Sequence, residues 1–134
     1  FRLLEHTADI GIAAAGENLA ALFQQAAFGF RQVITPADIR QQTVKELTLV
    51  AGDVEELLVS WLSELLYLFE AELFLPATIE IDQIDEQGLQ ARVCGEIIDL
   101  ANQAIEREIK AITYHQIEVN RCPAGWQAQV FIDL

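Results

Sequence analysis

Three short segments carry residue types able to do chemistry, and two of them lie at opposite ends of the chain. The first is His6-Thr7-Ala8-Asp9-Ile10-Gly11, a polar cluster set between apolar stretches. A histidine and an aspartate three places apart can supply a metal ligand, an acid or base, or side-chain bonds to the local backbone. The second is Glu108-Ile109-Lys110-Ala111-Ile112-Thr113-Tyr114-His115. As a strand it puts Glu108, Lys110, Ile112 and Tyr114 on one face and Ala111, Thr113 and His115 on the other. A solvated sheet face accounts for Lys110 and an interior hydrogen bond for Thr113, and a lone histidine such as His115 is more often structural than catalytic. The third is the tail Val130-Phe131-Ile132-Asp133-Leu134, where an acid closes an apolar strand. If Leu134 is the natural end, its carboxylate joins that of Asp133. Two carboxylates about 4 Å apart repel by about 4 kcal/mol at an effective dielectric near 20, so gathered acids invite protonation or a cation. Oxygen ligands of this type suit calcium or magnesium rather than zinc.

Other chemistries lack their residues. The chain has no glycine-rich phosphate loop, no paired-cysteine metal site, no nucleophile elbow and no HExxH pattern. Ser60 and Ser63 fall inside an apolar helical pattern with no histidine near them, which disfavours acyl transfer. Cys94 and Cys122 are too far apart for a zinc knuckle or redox pair and are expected to be small packed thiols in a reducing compartment. The net charge of −13, from 21 acidic and 8 basic residues, opposes phosphate neutralisation, so strong direct nucleic-acid binding is not expected. The same surplus suits divalent cations or a basic protein partner. No apolar run approaches a membrane span, and Phe1 to Glu5 reaches the polar His6-Thr7 pair too soon for a signal peptide. A soluble, cytoplasmic protein is expected, with no membrane partner.

The elements that must position these segments follow from periodicity. At 134 residues the chain is the size of one domain, 1–134, with a single core. Asn18 precedes Leu19, Leu22, Phe23, Ala26, Ala27, Phe30, Val33 and Ile34, one helical stripe that stops near Pro36. Thr43 to Val50 reads as a strand, and Asp53 with Glu56 forms a capping box that opens a second helix. That helix carries Leu57, Leu58, Trp61, Leu62, Leu65 and Leu66 and is expected to break at Pro76. From Thr78 onward the pattern is β: Thr78 to Ile84, Leu89 to Glu96, Glu108 to Asn120 and Trp126 to Leu134. Pro123-Ala124-Gly125 marks a closing hairpin. The expectation is an α/β (α+β) fold of two layers, with two main helices packed on one mixed β-sheet and a C-terminal half rich in antiparallel strands.

Taken together, four stretches resemble the archease family, whose members assist the GTP-dependent RtcB-type RNA ligase in tRNA splicing and RNA repair. They are His6 to Gly11; Leu57-Leu58-Val59-Ser60-Trp61-Leu62-Ser63-Glu64-Leu65-Leu66-Tyr67; Lys110 to His115; and Ile132-Asp133-Leu134. They occur in family order and span nearly the whole chain. The resemblance implies an accessory protein rather than an enzyme, one that promotes guanylylation and turnover of the ligase. It also implies a bound divalent cation, calcium first with magnesium or manganese as alternatives, held by Asp9, Asp133 and Leu134. It places Lys110 at the family's lysine, with His6, Thr113 and His115 supporting the site or touching the partner. One departure is Gln103, near which the family commonly has a histidine. Two other readings remain open at this level. One is a metal-dependent hydrolase or phosphotransferase using His6, Asp9 and His115, with Lys110 stabilising developing charge. The other is a general chaperone built on the apolar breadth of the second helix.

Overall fold

The computed structural model describes residues 1–5, 9–103 and 105–134. In chain order the elements are β1 (Arg2–Glu5), β2 (Asp9–Gly16), α1 (Leu19–Ile34), β3 (Thr43–Val50), α2 (Val54–Glu72), β4 (Phe74–Asp85), β5 (Gly88–Ile97), β6 (Ala111–Ile112), β7 (Glu118–Cys122) and β8 (Gly125–Asp133). Ile10, Ile12 and Ala14 alternate with small residues along β2, and Ala128, Val130 and Ile132 alternate along β8. Both sets are buried, so one face of each strand is turned to the core. The two strands pair antiparallel along their whole length, from Asp9 opposite Asp133 to Gly16 opposite Trp126. β1 flanks β2, and β6 and β7 share the other edge of β8, which completes a five-stranded sheet. The remaining strands form a second sheet in the order β3-β5-β4.

The helices start where their caps place them. Asn18 Oδ1 accepts a hydrogen bond from the Ala21 amide at 2.8 Å, and Asp53 Oδ1 accepts from the Glu56 amide at 2.8 Å. Helix α1 lies on β2 and runs beside β4, whose outer carbonyls would otherwise be left without donors. Gln24 donates to the Ile79 carbonyl at 3.0 Å, and Arg31 donates to those of Pro76 and Ala77 at 3.0 and 3.2 Å. Burial lowers the Arg31 pKa from its ordinary value, with Asp38 pulling it back up. Helix α2 touches β3 and β4 of the small sheet and β6 and β7 of the large one. The two helices are tied by the fully buried Trp61, whose indole N–H donates to the Phe23 carbonyl at 3.0 Å.

The α+β class, the two helices and the antiparallel second half are as the sequence implies, and three details differ. The strands divide between two sheets, and every described pairing is antiparallel. Helix α2 stops at Glu72, ahead of Pro76, because Leu73 turns into a left-handed conformation (φ 60°) with its N–H bonded to the Leu68 and Phe69 carbonyls. Pro76 lies inside β4 at a register shift, where its missing N–H is tolerated. The expected strand over Glu108 to Asn120 is broken. The Thr113 hydroxyl donates to the Phe131 carbonyl and accepts from the His115 amide, which turns the chain off the β8 ladder before β7 rejoins it.

Candidate functional site

Asp9 opens β2 and Asp133 closes β8, and the antiparallel register makes them direct cross-strand partners. Alternation along both strands sends them to the face opposite the helices, since their neighbours Ile10 and Ile132 are buried in the core. Opposed residues in such a ladder have Cα atoms roughly 4.5–5.5 Å apart, which puts both carboxylates within reach of one small ligand. Asp9 Oδ1 is buried and has no hydrogen-bond partner among the described residues. Leaving a buried acceptor unsatisfied costs about 1–3 kcal/mol, and more when it is charged. The Asp133 carbonyl is already used, accepting from the Lys110 amide at 2.9 Å. What Asp133 offers a ligand is therefore its exposed carboxylate.

An apolar floor lies next to the acid pair. Phe131, two residues before Asp133 on the same strand face, is buried against Gly11. A Cβ at Gly11 would stand 2.9 Å from Phe131 Cε1 and 3.2 Å from Leu4 Cβ, so glycine is what admits the ring. The exposed His115 ring tilts against Phe131 with centroids 6.2 Å apart. Thr113 is bound to the Phe131 carbonyl through both its N–H and its hydroxyl, each at 3.0 Å. Leu134 follows Asp133, its side chain packed against the core and its carbonyl next along the chain from the acid pair.

The structure thus gathers Asp9, Asp133, Leu134, Lys110, Thr113 and His115 around the last turns of one ladder, with Lys110 joined to it through its main chain. His6 lies outside the described residues. Gln103 takes part in a local turn, accepting from the Asp99 amide at 3.0 Å. The Gly11 and Phe131 packing escaped the sequence reading; the signal available was a glycine and an aromatic at matching distances from the two aspartates.

Asp9, Asp133 and Leu134 could hold a cation between them. The donor set is entirely oxygen, which fits calcium, magnesium or manganese and not zinc, and the orphaned Asp9 oxygen is the kind of atom a cation would satisfy. Among the described residues no three His, Cys, Asp or Glu side chains cluster closely enough to enclose a metal. An ion at this pair would keep coordination positions for water or for another molecule's oxygens. No described helix is long and apolar enough to cross a membrane.

A sequence model of the Archease protein family matches residues 1–134. The protein archease of Methanosarcina barkeri is 40% identical over 100% of this chain and 95% of its own. That of Thermococcus gammatolerans is 35% identical over 97% of this chain and 95% of its own. The solution structure of a Methanobacterium thermoautotrophicum protein has a TM-score of 0.79 at 25% identity, covering 98% of this chain and 96% of that one. The crystal structure of an archease from Thermotoga maritima, described there as a possible chaperone, shares the fold, with a TM-score of 0.68 at 20% identity over 100% of this chain and 97% of that one. A family pattern running from Phe1 to Leu134, over a fold its relatives share, gives one conclusion: the chain belongs to the archease family.

Proposed function

We propose that this chain activates a GTP-dependent RtcB-type RNA ligase, promoting its guanylylation and multiple turnover in tRNA splicing and RNA repair, with a divalent cation held between Asp9 and Asp133. The observation that carries this reading is the in-register pairing of the two aspartates with one buried carboxylate oxygen that has no donor among the described residues. An ion bound there by few protein oxygens has open positions to offer at the ligase's own metal and nucleotide site. The net charge of −13 suits a basic, RNA-handling partner and speeds the encounter without any need for this chain to touch RNA. In this reading Lys110, Thr113 and His115 hold the end of β8 and border the contact, and the chain performs no reaction alone.

The test is ligase guanylylation with the wild-type chain and with Asp9→Ala, alongside calcium titration of both. Loss of calcium binding together with loss of stimulation supports the reading. Full stimulation by an Asp9→Ala chain that no longer binds calcium removes the ion from it.

A further inference from the structure

At the other end of the same ladder, about seven rungs or roughly 24 Å from the acid pair, Gly16 faces Trp126. Trp126 shares the helix-side face with Ala128 and Val130 but is only half buried, at the edge of the core beside the helix starts. Its cross-strand partner Arg121 lays its guanidinium over the indole, 5.0 Å from the ring centroid. Arg121 also reaches the other sheet, where Glu86 Oε2 in the β4–β5 turn lies 3.4 Å from Nη2. A cleft of about 670 Å³ opens here, lined in part by Asp53, Glu55, Asp85 and Glu86 beside Trp126 and Arg121. Four acidic residues thus line the cleft in which an aromatic platform holds one guanidinium, with Asp53 and Asp85 each also accepting from a backbone amide. The start of α2, whose positive end would oppose a cation, carries the Asp53 cap and Glu55.

Arg121 is weakly held. Its side chain is 76% exposed, and an exposed pair such as Arg121–Glu86 contributes about 0–1 kcal/mol while ordering a long side chain. We infer that the Trp126 cleft is an arginine-binding docking site, filled in the isolated chain by Arg121 and, in a complex, by an arginine of a basic protein partner that displaces it. The platform favours a planar guanidinium, which stacks on an indole while its fork pairs with carboxylates; a compact, strongly hydrated ammonium gains less. A second copy of this chain is a poor occupant, because two molecules of net charge −13 repel. This inference does not depend on the ligase reading.

The test reads Trp126 directly, since Trp61 is 0% exposed and shielded from a soluble quencher. Titrating the chain with penta-arginine is expected to protect its emission from acrylamide. Arg121→Ala, which vacates the platform, is expected to raise penta-arginine affinity about two- to fivefold, the equivalent of an exposed cation–π contact. Arg92→Ala, removing the same charge from the outer face of the small sheet, should leave it within about twofold. In the Arg121→Ala background, Asp85→Asn with Glu86→Gln should lower affinity several-fold more than Glu80→Gln with Asp82→Asn, and penta-lysine should bind more weakly than penta-arginine. An Arg121→Ala chain that binds no more tightly than wild type overturns the inference. So does an equal loss in the two carboxylate pairs, or penta-lysine binding equal to that of penta-arginine.

Discussion

Asp9 stands directly across the β2–β8 ladder from Asp133, so segments from the two ends of the chain meet at one pair of carboxylates. Like charges directly opposed on a sheet are destabilising, and here one of them has a buried oxygen with no donor among the described residues. An ion bound between them, as proposed, would convert that penalty into a link between β2 and β8. At a calcium concentration 100 times its dissociation constant, binding to the folded state adds about 2.7 kcal/mol of stability, roughly 10 °C in Tm for a chain of this size. Thermal unfolding with calcium and with chelator should show that shift in the wild-type chain. Asp9→Asn should lose the shift and, without ions, unfold no lower than wild type.

Gly11→Ala should separate the site from the rest of the fold. The new methyl meets Phe131 Cε1 at 2.9 Å, and moving that ring disturbs the strand two residues before Asp133. We expect a stability loss of about 1–3 kcal/mol and, by calorimetry, weaker calcium binding than in Ala13→Ser, a change two rungs further along the same strand. Equal calcium affinity in the two variants would show that the Phe131 floor does not shape the site.

The site was legible in part. Asp9, Asp133 and the Lys110 to His115 segment stand out in the sequence through residue type, and the family resemblance implies that Asp9 and Asp133 share an ion; the sheet register sets the two aspartates directly opposite each other. The meeting of Asp9 with Asp133 depends on two strands paired without a slip over eight positions, and one residue of slippage would put one aspartate on the opposite face. The caps at Asn18 and Asp53 were readable because capping is local chemistry. The end of α2 was misplaced at Pro76 because Leu73, a residue with no turn signature, takes the left-handed conformation. The division into two sheets was invisible for a similar reason. Alternation reports that a strand has a buried face and says nothing of which sheet it joins.

Trp61→Phe should cost about 2–3 kcal/mol in denaturant unfolding. It removes buried volume at the contact between the helices and the indole hydrogen bond to the Phe23 carbonyl. Its ligase stimulation, measured well below its midpoint, should be unchanged, because Trp61 is part of the core and not of the site.

Arg31→Leu should cost about 1–3 kcal/mol, since it leaves the Pro76 and Ala77 carbonyls at the part-buried edge of β4 without their donor. Arg92→Leu, on the outer face of the small sheet, should change stability far less, because its contacts with Glu80 and Asp82 are screened by solvent. Parallel chemical denaturation of the two variants checks the difference.

The proposed role of the Asp9–Asp133 pair is to serve another enzyme. Its most direct test is a multiple-turnover assay of a purified RtcB-type RNA ligase with GTP and a divalent cation, run without this chain, with it, and with Asp133→Ala. The account predicts sustained turnover only with the wild-type chain, and a ligase that stalls after about one cycle with the variant or with no addition. Turnover sustained equally by a folded Asp133→Ala chain, or no stimulation by the wild type, would contradict it.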